Sequence, residues 1–343
     1  MLKPSFCRLA STVNSAVFQK YGCPTSVLKV QKTQLKEVGK KDLQVRMIAS
    51  PITGFDLSTI AGKNPMGVSF PSVAGSEGVG IIQKIGEDVT AFKELDTVML
   101  ARPVQGTWSE QIVVSEDQVL RAPEGIPSEI SASLLKSAGL AYRLLADFAP
   151  LKSGDFIMQN DASSAVGLAV LQLCKSRGIK TINVVPDCGE YSQLFRLVES
   201  MGGDVIVRES QLHGVDFKRI MEDLPTPKLA LNGRGGATMT NTCRLLKDCT
   251  VVTYNESSRE PFAVTASYLT QNHLCLKGFN MDRWLQSAEM EQIRSMVEEL
   301  AEMVRKDELR LYLKRDKFSQ VVDAVADAAK PATDRTPVLL MDQ

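Results

Sequence analysis

Segments typical of β-strands and α-helices alternate from residue 155 to residue 255. The strand segments are short apolar runs, and each is followed by a longer run with the apolar period of a helix. Alternation over this length predicts a doubly wound parallel sheet with right-handed helical crossovers, which is the Rossmann type of α/β fold. The predicted segments are DFIMQN (155–160), SAVGLAVLQLCKSRG (164–178), KTINVV (180–185), EYSQLFRLVESMGG (190–203), DVIV (204–207), VDFKRIMEDL (215–224), KLALNG (228–233), MTNTCRLLKD (239–248) and CTVVTYN (249–255).

A different pattern precedes this region, between residues 25 and 150. Short strand-like runs lie close together between glycine, proline and polar residues, as in small β-barrels. They include LQVRMIASPI (43–52), SEGVGIIQKIG (76–86), ELDTVMLA (94–101) and WSEQIVVSEDQVLRAP (108–123). A helical period then begins at Ser128. The sequence therefore predicts a β-rich domain before the Rossmann domain, and we expect the last part of the chain, about 306–343, to return to the first domain.

The chain has 343 residues, more than the roughly 100 to 200 of a single domain, which agrees with two domains. Its 40 basic residues balance 40 acidic ones, so the charge gives no support to nucleic-acid binding or to a polybasic membrane surface. No apolar run reaches the roughly 18 residues that a transmembrane helix needs. We therefore expect no nucleic-acid partner and no membrane insertion.

Cysteine and histidine are few and scattered. The seven cysteines form no CxxC pair, and an odd, dispersed set is typical of a protein from a reducing compartment rather than of a disulfide framework. The two histidines, His213 and His273, lie far apart in the sequence. A histidine-based zinc site would have to use nearly all of them, so we expect no bound metal.

The N-terminal segment MLKPSFCRLASTVNSAVFQK is basic, rich in serine and free of acidic residues. The first acidic residue of the chain is Glu37. This composition, without the long apolar stretch of a secretory signal, is typical of a mitochondrial transit peptide. The alternative is a frayed basic terminus without a targeting function.

The segment QNDASSAVGLAV (159–170) follows the first predicted Rossmann strand. A dinucleotide site needs small residues here, because backbone amides and a helix N-terminus must approach the pyrophosphate closely. Gly167 is its one glycine, where a full fingerprint has three, but Ser163, Ser164 and Ala165 are also small. The alternative is a Rossmann fold that binds no nucleotide.

The loop after the second predicted Rossmann strand reads NVVPDCGE, with Asp187 as its first acid. An acid at this place usually accepts a hydrogen bond from the ribose 2′-hydroxyl of NAD, whereas an arginine accommodates the 2′-phosphate of NADP. No arginine or lysine lies between Lys180 and Arg196. Taken alone, this loop favours NAD over NADP, or neither; the alternative for Asp187 is a solvated loop acid. For Cys188, which has no cationic neighbour in this loop, we expect an inert thiol.

Several stretches resemble one family of the medium-chain dehydrogenase/reductase superfamily, the mitochondrial trans-2-enoyl-CoA (enoyl-thioester) reductases. The resemblance covers nearly the whole chain after the N-terminal segment. The stretches that carry it are FPSVAGSEGVGIIQKIGEDVTAFKELDTVM, GTWSEQIVVSED, PLKSGDFIMQNDASSAVGLAVLQLCKSRGIKTINVV, PKLALN, TVVTY and LKGF.

The resemblance implies a GroES-like β-barrel domain plus a Rossmann domain, a homodimer and the cofactor NADPH. It implies reduction of the 2,3 double bond of acyl thioesters, carried on coenzyme A or acyl carrier protein, in fatty acid synthesis in the mitochondrial matrix. Zinc-dependent relatives of the superfamily use a cysteine and a histidine, whereas this chain has TGFD (53–56) and GSEG (75–78), with Ser76 at the histidine position. The resulting division is a transit peptide at 1–22, a GroES-like catalytic domain at 23–135 with 306–343, and a Rossmann domain at 136–305.

The loop TIAGKNPMGVSFP (59–71) departs from the family at its proton donor. The family has a tyrosine in a GNYG-like stretch, and counting back from PSVAG places Asn64 there. An amide has no titratable proton in the working pH range, so Asn64 cannot act as a general acid. It can still hydrogen-bond an enolate-like oxygen or a water molecule. Ser58 and Thr59 are potential relays for water, although such residues more often satisfy nearby backbone groups.

Other departures fall on residues that contact the cofactor in the family. Losing two arginine–phosphate pairs is expected to weaken NADPH binding by two or more decades, at roughly 1.5 to 3 kcal/mol each. Glu256 adds a negative charge near an anionic cofactor. The positions that the resemblance assigns to the cofactor are Ser137, the phosphate turn Ser163, Ser164, Ala165 and Val166, the former Arg-Asp-Arg at Pro186, Asp187 and Cys188, the former Tyr-Gly-Gly-Met at Tyr254, Asn255, Glu256 and Ser257, then Phe279, Asn280 and Met281, and Thr336 near the C-terminus.

Three functions are compatible with this pattern. The first is an NADPH-dependent enoyl-thioester reductase with an altered site. The second is a catalytically impaired relative that acts as a binding or partner subunit. The third is an NADH-dependent reductase of a quinone or another activated alkene, in which water supplies the proton. Because all three share the fold, only the site residues can separate them.

Overall fold

The computed structural model of the chain describes residues 11–63, 67–187, 191–330 and 335–341. The chain divides into two compact units. The first contains the chain up to Ser133, Leu313–Ala329 and the residues from Thr336 onward, and the second contains Leu134–Tyr312. Each unit has its own sheets and its own buried apolar core, as expected of a domain.

Sixteen strands lie in the described part of the chain. They are β1 (Thr12–Phe18), β2 (Leu28–Gln34), β3 (Asp42–Pro51), β4 (Ser72–Val73), β5 (Val79–Ile85), β6 (Thr97–Leu100), β7 (Gln111–Ser115), β8 (Val119–Arg121), β9 (Phe156–Asn160), β10 (Lys180–Val185), β11 (Val205–Arg208), β12 (Leu229–Asn232), β13 (Thr250–Thr253), β14 (Cys275–Gly278), β15 (Leu313–Lys317) and β16 (Thr336–Leu340).

Twelve α-helices lie in the same described ranges. They are α1 (Pro24–Val27), α2 (Gly54–Ile60), α3 (Ser128–Ala132), α4 (Leu140–Ala146), α5 (Ala165–Ser176), α6 (Tyr191–Ser200), α7 (Val215–Asp223), α8 (Gly236–Leu245), α9 (Ala266–Thr270), α10 (Met281–Ser287), α11 (Met290–Arg305) and α12 (Val321–Ala328). Among these residues, we find no helix with the length and apolarity that crossing a bilayer requires.

The first unit is organised around β3, which hydrogen-bonds to three other strands. Its first half pairs with β7, most of its length pairs with β5, and its last residues pair with β16, all antiparallel. The resulting seven-stranded sheet has the order β15-β16-β3-β5-β6-β8, with β7 also on β3. Trp108 is fully buried in the core of this unit and donates its indole N–H to the carbonyl oxygen of Pro51 (3.1 Å), so it is a core residue.

Strand β1 lies within the segment that the composition assigned to a transit peptide ending at residue 22. It pairs with β2 along its whole length and with β4 at its end. Ala16 and Phe18 are fully buried in the core of the first unit. Removal of residues 1–22 would therefore delete the strand that lies between β2 and β4.

The second unit is built on a six-stranded, fully parallel sheet with the order β11-β10-β9-β12-β13-β14. In chain order this is 3-2-1-4-5-6, the strand order of the dinucleotide-binding Rossmann fold. The sheet confirms the fold class expected from the strand–helix alternation. The sixth strand, β14, was outside the predicted set because its four residues are exposed and carry no apolar signal.

The helical region that begins at Ser128 is not one continuous helix. It consists of α3, a π-helical segment at Leu134–Gly139 and then α4. The wider turn occurs where the chain passes from the first unit to the second.

The second unit extends to Tyr312, past the boundary predicted at residue 305. The reason is a pair of hydrogen bonds that joins this segment to α5. The amide of Arg310 donates to Oε1 of Gln172 (2.8 Å), and Nε2 of Gln172 donates to the carbonyl oxygen of Arg310 (3.1 Å).

Candidate cofactor and catalytic site

The carboxyl ends of β9, β12 and β13 are joined by a row of polar side chains. Nδ2 of Asn160 donates to Oδ1 of Asn232 (2.9 Å), and Nδ2 of Asn232 donates to Oγ1 of Thr253 (3.1 Å). Oδ1 of Asn160 also accepts from the amide of Gly233 (2.9 Å). In open parallel sheets, ligands bind at this carboxyl edge. The row therefore holds the loops of a potential binding site in fixed positions.

The turn from β9 into α5 has the geometry of a phosphate turn. Ser164 is the N-cap of α5 and accepts a hydrogen bond from the amide of Gly167 (3.1 Å). The amides of Ala165 and Val166 precede it in the first helical turn, where N–H groups have no partner within the helix. Ser163 is buried. Two amides at a helix N-terminus fit a pyrophosphate, which needs donors and positive potential.

Asp161 occupies the first position of this turn with φ 141°, in a region that favours glycine. Burial raises the pKa of its carboxyl group to about 6, and the charge of Glu209 acts in the same direction. Arg234 and hydrogen bonds with the side chains of Ser164 and Ser257 oppose that rise. Asp161 was not among the residues predicted from the sequence. It could have been noticed as an acidic residue at a position where the dinucleotide fingerprint has a small one.

Tyr254 follows β13 and packs against the loop after β12. A Cβ on Gly233 would lie 2.3 Å from the Tyr254 hydroxyl oxygen and 3.1 Å from Cβ of Asp161, so only glycine fits there. Burial and the nearby Asp161 carboxylate raise the pKa of the Tyr254 phenol, so it stays neutral. The structure thus brings together the predicted residues Ser164 and Tyr254.

Asn255, Glu256 and Ser257 continue from Tyr254 as an exposed loop. The amide of Ser257 donates to the carbonyl oxygen of Gly233 (3.0 Å), which ties this loop to the one after β12. In that neighbouring loop, Arg234 forms an ion pair with Glu209 (Nε to Oε1, 2.6 Å). The connections that follow β11, β12 and β13 are therefore in contact with one another at the carboxyl edge of the sheet.

Asp187 is exposed, and its carboxylate accepts two hydrogen bonds. Its Oδ2 accepts from the amide of Ser210 (2.8 Å) and its Oδ1 accepts from the Ser210 hydroxyl (2.9 Å). Ser210 follows β11, so this contact joins the loop after β10 to the loop after β11. Pro186 precedes Asp187 at the end of β10, and Cys188, a further predicted cofactor position, lies outside the described residues.

Arg208 is the last residue of β11, and sequence reasoning did not select it. The parallel register pairs Arg208 with Val185, the last residue of β10. Its guanidinium carbon lies 3.6 Å from the centre of the Tyr191 ring. A cation therefore stands beside the loop that carries Asp187, although none occurs in that loop itself.

The remaining predicted cofactor positions of the second unit lie on two elements. Asn280 caps α10 by accepting from the amide of Arg283 (2.9 Å), Met281 is buried, and the Phe279 ring packs edge-on against Phe148 with 5.6 Å between centres. Ser137 lies in the π-helical segment. This segment and α10 are joined by a buried ion pair between Lys136 and Asp282 (Nζ to Oδ1, 2.8 Å).

In the first unit, Ser76 and the segment TGFD (53–56) form a hydrogen-bonded cluster. The Ser76 hydroxyl donates to Oδ1 of Asp56 (2.5 Å), and the Thr53 hydroxyl donates to Oδ2 of the same carboxylate (2.6 Å). Among the residues described, no group of three or more histidine, cysteine or acidic side chains is placed to hold a metal ion.

The loop at 59–71 is described only in part, and Asn64 lies outside the described residues. Thr59 donates its hydroxyl to the carbonyl oxygen of Phe55 (2.9 Å), one turn earlier in α2. Tyr21 packs on this loop: its ring lies edge-on to Phe70 (4.9 Å between centres), and its hydroxyl oxygen accepts from the amide of Val68 (3.2 Å). Thr336, the last predicted cofactor position, begins β16 in the first unit.

Comparison with known proteins identifies similar chains for both units. Residues 39–124 match the family model of the alcohol dehydrogenase GroES-like domain. The mitochondrial enoyl-[acyl-carrier-protein] reductase of Dictyostelium discoideum is 36% identical over 338 residues, which are 98% of this chain and 97% of that protein. The human protein of the same name is 33% identical over 298 residues, 87% of this chain and 80% of that protein.

Solved structures share the fold at lower identity. The mitochondrial 2-enoyl thioester reductase heterodimer from Candida tropicalis superposes with a TM-score of 0.86 at 21% identity, covering 96% of this chain and 100% of that one. The Escherichia coli quinone oxidoreductase complexed with NADPH gives the same TM-score and identity, covering 95% of this chain and 99% of that one. At these identities, the superpositions show the fold alone.

Proposed function

We propose, because this chain belongs to the family of mitochondrial enoyl-[acyl-carrier-protein] reductases, that it is an oxidoreductase that reduces the 2,3 double bond of trans-2-enoyl thioesters with NADPH in fatty acid synthesis. The observation that carries the proposal is the turn from β9 to α5. Its small residues, its capped helix and the amides of Ala165 and Val166 fit a dinucleotide pyrophosphate.

NADPH supplies a hydride for the β carbon of the substrate. The residues of this chain bind and orient the cofactor. Ser163 and Ser164 are small residues in the turn, and the amides of Ala165 and Val166 would donate to phosphate oxygens of the bound cofactor. The neutral Tyr254 phenol lies beside Gly233. Rigid placement of donors of this kind stabilises developing charge at no cost in reorganisation.

The proton for the α carbon comes from water. The loop at 59–71 contains no tyrosine, histidine, cysteine or acid, and the amide of Asn64 at the family's tyrosine position cannot donate a proton as a general acid. The loop positions the thioester and leaves protonation of the enolate to solvent. Loss of an assisting acid costs on the order of 10² to 10⁴ in rate and leaves a slow enzyme.

No metal takes part in this proposal. The carboxylate of Asp56 is already bound by the hydroxyls of Ser76 and Thr53, which are poor ligands for zinc compared with histidine and cysteine. The thioester oxygen therefore depends on hydrogen bonds for its stabilisation.

The proposal places the protein in the mitochondrial matrix, with a leader that ends before Thr12 so that β1 is kept. The acyl carrier is coenzyme A or acyl carrier protein. The chain forms a homodimer through β14, an edge strand whose Leu276 is 40% exposed. Sedimentation of wild type and Leu276→Lys tests the dimer: we expect wild type at twice the chain mass and the variant at the mass of one chain.

Turnover is tested on the full chain by following NADPH consumption with a short trans-2-enoyl-CoA, with NADH and a quinone as alternative reagents. Consumption of NADPH that depends on the enoyl thioester supports the proposal. Cofactor binding without turnover of any acceptor would identify a catalytically impaired partner subunit. Faster turnover of the quinone with NADH would identify the third function instead.

A further inference from the structure

The loop after β10 lacks the arginines that hold a 2′-phosphate in this family, but the neighbouring strand brings a cation to it. Val185 and Arg208 are paired at the carboxyl ends of β10 and β11. In a Rossmann fold, the ribose of the adenosine half lies at the end of the second strand, which is β10 here. Arg208 therefore stands where a 2′-phosphate would arrive.

The Arg208 guanidinium is held against an aromatic ring. It stacks on the Tyr191 ring with 3.6 Å between the guanidinium carbon and the ring centre. A guanidinium stacked by its face keeps its N–H groups directed outward in its plane, where a phosphate can receive two of them. Among the described residues, Arg208 forms no ion pair with a carboxylate, and its side chain is exposed.

Two acids in the loops after β10 and β11 accept hydrogen bonds from other groups. Glu209 accepts from Arg234 (2.6 Å) and from the Thr238 hydroxyl (2.8 Å). Asp187 has one oxygen on the amide and the other on the hydroxyl of Ser210. Both of its oxygens therefore face Ser210, in the loop after β11.

We propose that Arg208, held by Tyr191, binds the 2′-phosphate and makes the chain selective for NADPH over NADH. The inference rests on the proposed function, because it requires a nicotinamide dinucleotide in the site. It replaces the loop arginines of the family by one arginine from the adjacent strand, which local sequence comparison within the loop cannot reveal.

The test is the binding of NADPH and of NADH to the full chain, followed by nicotinamide fluorescence. For Arg208→Gln we expect NADPH binding to weaken about 10- to 100-fold, the effect of losing a charge-assisted phosphate pair, and NADH binding to change less than about 2-fold. Arg219→Gln, at an exposed arginine of α7, is the matched control and should change neither.

Tyr191→Leu removes the stacking surface and keeps the charge. We expect this variant to weaken NADPH binding about 2- to 5-fold, less than Arg208→Gln, because the guanidinium is then less preorganised. Raising the salt concentration should weaken NADPH binding more in wild type than in Arg208→Gln.

The outcomes separate the inference from the proposed function. If wild type binds NADPH and Arg208→Gln binds it equally well, the inference is wrong and the proposed function stands. If Arg208→Gln weakens NADPH and NADH to the same extent, Arg208 does not recognise the 2′-phosphate, which also overturns the inference. If wild type binds neither nicotinamide, the proposed function fails and the inference fails with it.

Discussion

Gly167 faces the carbonyl oxygen of Asp161 so closely that a Cβ on it would lie 2.3 Å from that oxygen and 2.7 Å from the carbonyl carbon of Ala162. Both neighbours are backbone atoms of the turn before α5. Gly167 therefore serves the packing of α5 against this turn, which is the purpose of the third glycine in the dinucleotide fingerprint. Gly167 is the one glycine that this segment retains, and a larger residue at this position would clash with the backbone of the turn.

Gly167→Ala is accordingly expected to lower the free energy of unfolding by about 1 to 3 kcal/mol, the usual cost of overpacking, and to weaken NADPH binding as the turn shifts. Urea denaturation and fluorescence titration measure the two effects. Gly54→Ala is the control, because a Cβ at this first residue of α2 meets nothing within 4 Å. Equal stability of Gly167→Ala and wild type would contradict the packing role.

Asp161 makes the stability of the second unit depend on pH. Its pKa is raised to about 6 by burial, so between about pH 4 and pH 6 the folded chain binds more protons than the unfolded chain. Stability must then fall as pH rises through this window. We expect Asp161→Asn to be more stable than wild type by about 1 to 3 kcal/mol at pH 8 and equally stable below about pH 4.

Asp155→Asn is the control for this comparison, since Lys228 lowers the pKa of the Asp155 carboxyl group instead. It should not stabilise the chain at pH 8. Urea denaturation of the three proteins at several pH values gives the answer. A difference between wild type and Asp161→Asn that stays constant with pH would rule out titration of Asp161 as the cause.

The ion pair of Lys136 and Asp282 links the π-helical segment to α10 inside the second unit. Their side chains are 8% and 4% exposed, so removal of one partner leaves a buried charge. We expect Lys136→Met to lose about 3 to 5 kcal/mol, and Lys136→Met with Asp282→Leu to recover most of this loss. Thermal or urea unfolding measures both variants.

The pair of Lys40 and Glu87 has a similar distance, 2.7 Å, but its side chains are 73% and 66% exposed. Lys40→Met should therefore cost no more than about 1 kcal/mol. If Lys136→Met lost no more stability than Lys40→Met, the ion pair of Lys136 and Asp282 would not be what holds the π-helical segment, with Ser137, to α10, which Asn280 caps.

Tyr21 holds the described end of the loop at 59–71 through its hydroxyl oxygen and the Val68 amide. Tyr21→Phe removes this hydrogen bond and keeps the ring contact with Phe70. We expect kcat/KM for the enoyl thioester to fall about 2- to 10-fold, which corresponds to roughly 0.5 to 1.5 kcal/mol, with NADPH binding unchanged. Unchanged kcat/KM would show that the hydrogen bond between Tyr21 and Val68 does not affect how the loop positions the substrate.

Strands with a continuous apolar signal between turn residues could be predicted from the sequence. β10 is an example, since KTINVV covers it from end to end. β1 was missed because its residues lie in a basic, serine-rich segment, and its buried alternation depends on pairing with β2. β14 was missed because an exposed edge strand has no apolar period to detect.

The site was predictable only where its residues are neighbours in the chain. Ser163, Ser164, Ala165 and Val166 follow one another, so their turn could be inferred. The relationships of Asp187 with Ser210 and of Arg208 with Val185 depend instead on the register of two parallel strands separated by α6. No local pattern encodes that register, and for this reason the loop after β10 looked empty of cations.

The pairing of β3 with β16 sets an order of events in time. β3 begins at Asp42, whereas β16 begins at Thr336, so the first unit cannot close its sheet until nearly the whole chain is present. The strands of the second unit all lie between Phe156 and Gly278 and can pair earlier. During synthesis, or during passage through a membrane from the N-terminus, the parallel sheet of the second unit can therefore be completed first. The first unit must wait, with an open edge on β3, until β16 is present.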